Sequence, residues 1–232
     1  MNVFWVTSAI GFIAGAAMFG SITFLPIFLQ IAQGASPTES GLMLIPMTAG
    51  ILATSTVSGR YMGRTGRYRW LPIFGTCFLT AGMLLLSRIE PTTSVPMFSV
   101  SLALVGLGMG CIFPVVTTAV QNAVPREVLG TATAAGLLFR QVGGSLAVAA
   151  FGALFAARLA TQMGGIELGS GEIGPQMMAG VPEEMRATVG LQVADALRPI
   201  FWIAAALGAL GFLFSLLLEE VPLVNRMVSA RE

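Results

Sequence analysis

The chain has 232 residues, of which 55% are hydrophobic and only 10% are charged, and its net charge at pH 7 is +1. Soluble domains carry about 25% charged residues, so this composition predicts a protein that folds in a lipid bilayer. The near-neutral charge gives no basic surface for nucleic acid, and the absence of histidine excludes histidine metal sites and histidine-dependent nucleophilic catalysis. We therefore expect a membrane protein without enzyme activity, metal, cofactor or nucleic-acid partner.

Six segments are apolar enough and long enough to cross a membrane, because a helix needs about 20 residues to span a hydrocarbon core of about 30 Å. They lie at about 4–31, 38–58, 70–88, 96–121, 130–157 and 197–218. The pattern predicts an all-α membrane protein, with residues 1–232 forming a single six-helix domain. The polar stretch 158–196 is predicted to be an external loop that contains a short surface helix near 182–197.

The approach to the second span carries a local helix-start signal in the sequence GASPTESG, residues 34–41. Ser36 is the expected N-cap, Pro37 occupies the first helical position, and Glu39 follows the cap by three residues. This arrangement is typical of a capping box, so the second helix is predicted to begin near Pro37.

The bridge between spans two and three, GRYMGRTGRYRW at 59–70, contains four of the twelve arginines, namely Arg60, Arg64, Arg67 and Arg69. Short loops rich in arginine stay on the cytoplasmic side of a membrane. The bridge and both termini are therefore predicted to be cytoplasmic, and the protein to be a multi-pass protein of the plasma (inner) membrane.

The same bridge resembles the cytoplasmic motif G-x-x-x-D-R-x-G-R-R/K of the major facilitator superfamily. Gly59, Arg64, Gly66 and Arg67 match the motif, while its aspartate is replaced by Gly63. In members of the family this motif joins spans two and three of each six-span half and clamps neighbouring helix ends. The resemblance implies a transporter, and the missing acid is usual for the weaker copy in a second half.

Three further stretches are similar to fourteen-span drug:proton antiporters of the EmrB/QacA type, and these stretches are 24–50, 136–155 and 196–223. The similarity is to the C-terminal six-span half only. It implies export of drugs or other amphipathic compounds by alternating access, with substrate bound between two halves near the midplane. No carboxylate lies inside a predicted span, so the coupling acid that proton-driven transport needs would lie in the first half.

The expected partners are therefore the lipid bilayer, an amphipathic small molecule, and either a six- to eight-span first half or a second copy of this chain. An alternative of another class is a half-length membrane protein without transport activity of its own. Such a protein would be an assembly partner for a separate first half, or a decayed remnant.

Arg140 is the only charge well inside a predicted span, about 15 Å from Gly130 along the helix. A central arginine is costly in lipid, and glycines lie on the same helix face, so the side chain is expected to point into the bundle. Two interpretations fit this position. Arg140, with Gln141, lines or gates a transport pathway or binds an anionic group; or Arg140 satisfies helix-end carbonyls or extends to the cytoplasmic surface.

Span four contains GLGMGCIFP, residues 106–114, which offers Gly106 and Gly110 at a spacing of four and then Pro114. Glycines at this spacing allow close helix packing, and a proline frees a carbonyl and bends a helix. The segment is interpreted either as a packing surface alone or as a bend used in a transport cycle.

Overall fold

A computed structural model describes residues 2–162 and 183–220 of the chain. All regular structure in these residues is helical, so the all-α fold expected from the sequence is confirmed. The helices are α1 (Asn2–Ala32), α2 (Pro37–Leu42), α3 (Ile45–Thr65), α4 (Trp70–Leu86), α5 (Val95–Asn122), a 3-10 turn (Arg126–Val128), α6 (Leu129–Gln162) and α7 (Glu183–Leu216). Within the described ranges, five stretches are long and apolar enough to cross a membrane, α2 and α3 counting as one, and α4 is shorter at 17 residues.

The predicted helix start before the second span is confirmed in atomic detail. The Ser36 side chain accepts a hydrogen bond from the Glu39 amide (3.2 Å), and the Glu39 carboxylate accepts one from the Ser36 amide (2.8 Å). The helix then breaks after Leu42, because Pro46 has no N–H to donate to the carbonyl of that residue. The second span is therefore two helices, where the sequence suggested one.

The arginine bridge is mostly helical, which corrects the prediction of a loop over 59–69. Helix α3 continues to Thr65 and ends at Gly66, whose φ of 67° places it in the left-handed region. Glycine adopts this conformation without strain, so it ends the helix here, and its amide caps the Met62 carbonyl. We call the end of the bundle that carries Arg60, Arg64, Arg67 and Arg69 the arginine end.

At the opposite end of the bundle, the structure also corrects a prediction, that residues 158–196 form a loop with a short surface helix. Helix α6 continues to Gln162, and α7 runs without interruption from Glu183 through Pro199. The proposed surface helix and the sixth span are thus one helix. Its outer part packs against neighbouring helices, with Val189 and Val193 buried, and this packing outweighs the hydrogen bond lost at Pro199. The rest of the predicted loop, 163–182, lies outside the described residues.

Helices α1 and α5 form the centre of the bundle, and α3 and α6 lie at its periphery. The most apolar stretches of α1 and α5 are 61% and 56% buried, against 17% for the α2–α3 stretch and 33% for the α6 stretch. The peripheral helices contact the central ones through glycines. A Cβ on Gly50 of α3 would approach the Ala103 carbonyl of α5 to 2.9 Å, and a Cβ on Gly143 of α6 would overlap the Phe12 carbonyl of α1. Close backbone contact therefore holds α3 on α5 and α6 on α1.

Two groups of contacts tie the ends of the helices together. At the arginine end, the buried Tyr68 hydroxyl donates to the Glu219 carbonyl (3.2 Å), and Arg69 donates to the Leu216 carbonyl (3.4 Å). At the opposite end, Arg198 of α7 contacts Glu90 in the α4–α5 turn (3.2 Å) and Asp195 (2.9 Å). The bridge thereby fastens α7 at one end, and an exposed ion-pair group fastens it at the other.

Candidate functional site

The contact between α1 and α6 orients the candidate residues of α6. Gly143 lies against the Phe12 backbone and Gly144 against the Phe19 ring, where a Cβ on either glycine would overlap its neighbour. Ala147 and Phe151 continue this buried face one and two turns further. With this face held on α1, Arg140 is directed towards α1 and α5, and Gln141 lies beside the contact.

Arg140 lies half-buried between α1, α5 and α6, with its guanidinium carbon 4.9 Å from the centre of the Phe113 ring. It lines a small cavity of about 20 Å³ together with Thr117 and Thr133, which is room for about one water molecule. A cation over an aromatic face gains about 0.5–2 kcal/mol, which offsets part of the cost of placing the charge in a membrane.

The Arg140 charge has no carboxylate partner in the part of the chain that the structure describes, and its buried Nε lacks a hydrogen-bond partner there. Within the same residues no helix-end carbonyl accepts from it. The geometry therefore gives no support to the interpretation that Arg140 satisfies helix-end carbonyls. The pathway and anion-binding interpretation and the extension of Arg140 to the cytoplasmic surface both stay predictions.

Gln141 lies in an open groove between α1 and α6, named here the α1–α6 groove. Its volume is about 620 Å³, and its walls combine three polar side chains with apolar ones; the lining residues are Phe19, Thr23, Gln141, Val142, Ser145, Val148 and Ala149. Ser145 lies about 24 Å along the roughly 51 Å of α6, near the middle of the helix. The groove is therefore near the midplane of the membrane, and Gln141 and Ser145 are exposed there.

Gly106 and Gly110 lie where α5 packs on α3. A Cβ on Gly106 would overlap the Met47 carbonyl, and one on Gly110 would approach the Thr54 hydroxyl and the backbone of α3. Pro114 cannot donate to the Gly110 carbonyl, and the Ser55 hydroxyl of α3 donates to that carbonyl instead (3.4 Å). All three residues thus belong to the α3–α5 contact, and their part in a transport cycle stays a prediction.

The motif-like residues lie at the arginine end. Gly59 and Arg64 are exposed on the last turns of α3, Gly66 ends the helix, and Arg67 is exposed after it. A Cβ on Gly63, at the motif's acidic position, would meet no atom within 4 Å. There is therefore room for the missing acid, but within the described residues no ion pair engages Arg64 or Arg67.

Of the six carboxylates with described side chains, five lie at helix ends or in turns, whereas Asp195 lies within α7. The six are Glu39, Glu90, Glu127, Asp195, Glu219 and Glu220. Asp195 belongs to α7 but shares Arg198 with Glu90 of a surface turn, so it lies at the membrane boundary. In these residues the only charge at depth is Arg140.

Sequence reasoning missed Phe113 and Tyr68. Phe113 supports the Arg140 guanidinium, and Tyr68 fastens the bridge to the end of α7. A spacing of 27 positions between Phe113 and Arg140 gave no signal, whereas a tyrosine inside an arginine-rich bridge was a signal that could have been used.

The family model of the Major Facilitator Superfamily matches residues 1–148. A protein of Mycobacterium tuberculosis (strain H37Rv), named an uncharacterized MFS-type transporter, is 38% identical over 229 residues, covering 96% of this chain and 33% of that protein. The tetracycline resistance determinant of Streptomyces rimosus is 37% identical over 155 residues, covering 66% of this chain and 44% of that protein. The multidrug transporter protein MdtP of Bacillus subtilis is 28% identical, covering 97% and 47%. The chain thus spans a third to about half the length of these relatives.

Solved structures share the fold at low sequence identity. The fucose:proton symporter FucP of E. coli superimposes with a TM-score of 0.72 at 17% identity, covering 93% of this chain and 48% of that chain. A bacterial homolog of the human lysosomal transporter Spinster, inward-facing and unoccupied, gives 0.71 at 18% identity, covering 93% and 47%. The described helices therefore have the fold of about half of each of these chains.

Proposed function

Because the chain belongs to the major facilitator superfamily, we propose that it forms the second six-helix half of a transporter that exports drugs or other amphipathic compounds. Substrate binds against the α1–α6 groove, at the interface with a first six-helix half, and moves by alternating access. The names of the relatives support this proposal, since they include a multidrug transporter and a tetracycline resistance determinant.

The observation that carries the proposal is the exposed polar surface of the α1–α6 groove at mid-membrane depth. Gln141 and Ser145 are both exposed near the middle of α6. Polar groups facing lipid at this depth are unfavourable, so such a surface is normally covered by protein or lines a water-filled cavity. The mixture of Phe19 and valines with a few polar groups is typical of sites for drug-sized ligands.

Arg140 supplies the charge of the proposed pathway. It lines the small cavity between α1, α5 and α6 and not the α1–α6 groove itself, and its guanidinium contacts the face of Phe113 without a carboxylate partner in the described residues. We assign it the recognition of an anionic group, either on the substrate or on a helix of the first half.

We further propose that the transporter belongs to the fourteen-span drug:proton antiporter branch. It would lie in the plasma membrane with both termini in the cytoplasm. The arginines at one end of the bundle support this orientation through the positive-inside rule. Proton coupling needs an acid at depth, whereas the described carboxylates lie at helix ends, in turns or, for Asp195, at the membrane boundary beside Arg198 and Glu90, so we propose that the coupling acid lies in the first half.

Efflux of a fluorescent cation such as ethidium tests the proposal. Cells that express this chain with a first half, on one polypeptide or two, are expected to retain several-fold less dye than cells that express this chain alone. Equal retention in both cultures, with both halves present in the membrane, would favour the alternative of a membrane protein without transport activity.

Thiol labelling tests the pathway separately from activity. In a background with Cys77→Ser and Cys111→Ala, Gln141→Cys and Ser145→Cys are expected to react with a water-soluble maleimide when the two halves are assembled. The matched control is Leu213→Cys, which is 57% exposed on α7 but lies outside the groove. Labelling of Leu213→Cys at the same rate would remove the distinction between pathway and lipid-facing surface.

A further inference from the structure

A second crevice opens on the other side of α6, and we name it the α6–α7 crevice. Its floor is α1, with Ser8 and Ile13, and its walls are Phe139 of α6 and Leu207, Leu210 and Phe214 of α7. Its volume is about 330 Å³. From Phe139 to Gln141 the side-chain direction rotates by about 200° about the helix axis, so this crevice and the α1–α6 groove lie on different sides of α6.

The crevice lies between α6 and α7 on the side of the arginine end. At the opposite end α6 and α7 are in contact, where the Gln192 side chain donates to the Gln162 carbonyl (3.3 Å). Towards the arginine end, Phe139 and Phe214 form separate walls, and the Trp5 ring of α1, which also lines the crevice, contacts the Phe139 ring (6.4 Å between centroids). Leu210 in the wall and Leu213 beside the crevice are 44% and 57% exposed, so the crevice continues into the apolar outer surface of the bundle.

Its position along α1 matches one leaflet of a bilayer. The 31 residues of α1 measure about 46 Å, so about 8 Å extends beyond each side of a hydrocarbon core of about 30 Å. Ser8 is about 9 Å from the start of α1, which places it at the hydrocarbon boundary, and Ile13 lies about 7 Å deeper. Trp5, one turn further out, is 58% exposed, as is usual for tryptophan at the membrane interface.

Ser8 supplies the one hydroxyl among the described residues that line the crevice, and this hydroxyl is buried. The residue is 2% exposed, and its Oγ has no hydrogen-bond partner among the described residues. The neighbouring Thr7 hydroxyl, in contrast, donates to the Val3 carbonyl (2.6 Å). Because a buried unpaired hydroxyl is unfavourable, a ligand that supplies an acceptor at this level would be stabilised.

We propose that the α6–α7 crevice binds one acyl chain of a glycerophospholipid from the leaflet at the arginine end, with the Ser8 hydroxyl donating to its ester carbonyl. A phospholipid presents its groups in the same order as the crevice, an acceptor at the hydrocarbon boundary and a long apolar chain below it. A drug-like ligand fits less well, because sites for such ligands combine several polar groups and this one has a single hydroxyl. The inference needs only the membrane and does not rest on the proposed transport function.

Photo-crosslinking in detergent micelles tests the proposal, because detergent removes loosely bound lipid. The probe is a phosphatidylcholine with a diazirine halfway along one acyl chain, titrated onto the purified full chain, and labelled peptides are identified by mass spectrometry. Saturable labelling of peptides that contain Phe139 and Leu207 is expected, with competition by unlabelled phosphatidylcholine.

Variants separate the crevice from the general surface. Ser8→Ala is expected to lower probe affinity about five-fold, which corresponds to about 1 kcal/mol for one hydrogen bond. Leu210→Trp is expected to abolish labelling, because the indole occupies the crevice. The matched controls are Leu213→Trp, on an exposed position of α7 outside the crevice, and Ser145→Ala, which removes a hydroxyl on the other side of α6. Both are expected to label as the unmodified chain does.

Three outcomes would overturn the proposal. Labelling that does not saturate and spreads over exposed positions such as Leu52 and Leu138 would show surface lipid only. Unchanged affinity in Ser8→Ala, with the same elution profile as the unmodified protein, would remove the carbonyl contact. Competition by a small amphipathic cation such as ethidium at concentrations where phosphatidylcholine fails to compete would assign the crevice to a different ligand.

Discussion

The two sides of α6 present different surfaces. The α1–α6 groove has Thr23, Gln141 and Ser145 among its lining residues, whereas the described lining of the α6–α7 crevice has a single hydroxyl, that of Ser8. One helix therefore separates a surface suited to protein, water or an amphipathic ligand from a surface suited to lipid chains. The difference shows that hydropathy averaged over a span does not reveal what each side of the helix faces.

Both surfaces depend on the same contact between α6 and α1. The glycines that face α1 allow the helices to approach closely, so that side chains on either flank form the walls of a groove. Substitutions in this contact should affect both sides of α6, and substitutions on one flank should affect one side only. The expected effects below are ordered from the largest to the smallest.

Gly143→Ala should have the largest effect, because its Cβ would overlap the Phe12 carbonyl and approach the carbonyl carbon to 2.9 Å. Overpacking against another backbone costs about 1–3 kcal/mol or more. The control is Gly152→Ala, whose Cβ would meet only a Phe24 ring atom at 3.9 Å. Unfolding in mixed detergent micelles, followed by circular dichroism, should show a large loss for the first variant and at most a small change for the second. Equal stability of the two would contradict the packing assigned to the α1–α6 contact.

Much of the fold could be predicted because its signals are local. A run of about 20 apolar residues can satisfy its backbone in a bilayer only as a helix, and Ser36, Pro37 and Glu39 specify a helix start within four residues. Proline was harder to interpret, since Pro46 interrupts the second span while α7 passes through Pro199. The difference depends on the contacts made by neighbouring helices, which the sequence does not display.

The candidate site could be predicted only in part, for the same physical reason. A buried arginine beside glycines indicates that the side chain points into the bundle, because lipid exposure would be costly. The aromatic ring beneath Arg140 is contributed by another helix, and the unpaired hydroxyl of Ser8 has no distinguishing sequence pattern. Features that arise where two helices meet are therefore the ones that the sequence analysis lacks.

Arg140→Ala should remove transport while leaving membrane insertion intact, because the variant loses the one described charge at depth and relieves an insertion cost of about 2.5–3.5 kcal/mol. Dye efflux in the assembled transporter is expected to fall at least ten-fold. Arg140→Lys, which keeps the charge on a compact ammonium, should recover part of the activity. Normal efflux by Arg140→Ala would rule out a role for the guanidinium in the pathway.

Gln141→Leu should reduce efflux several-fold by making the α1–α6 groove more apolar, without a large change in stability, because the side chain is exposed. The control is Leu146→Ala, which also changes an exposed residue of α6 but lies outside the groove. The initial rate of dye loss, normalised to the amount of protein in the membrane, separates the two. If both variants lose activity equally, the polar lining of the groove is not what matters.

Arg198→Ala should have the smallest effect, although it removes the same chemical group as Arg140→Ala and two ion pairs with it. Arg198, Glu90 and Asp195 are 38%, 59% and 52% exposed, so water and salt screen their interactions. Exposed ion pairs contribute about 0.2–1 kcal/mol, and a double-mutant cycle with Glu90→Gln should give a coupling energy in that range that weakens in high salt. A coupling above about 2 kcal/mol would mean that this end of α7 is shielded from water, contrary to the exposure of the three side chains. The contrast between the two arginines therefore comes from their surroundings, since Arg198 has carboxylates and solvent, whereas Arg140 has an aromatic ring and no carboxylate partner among the described residues.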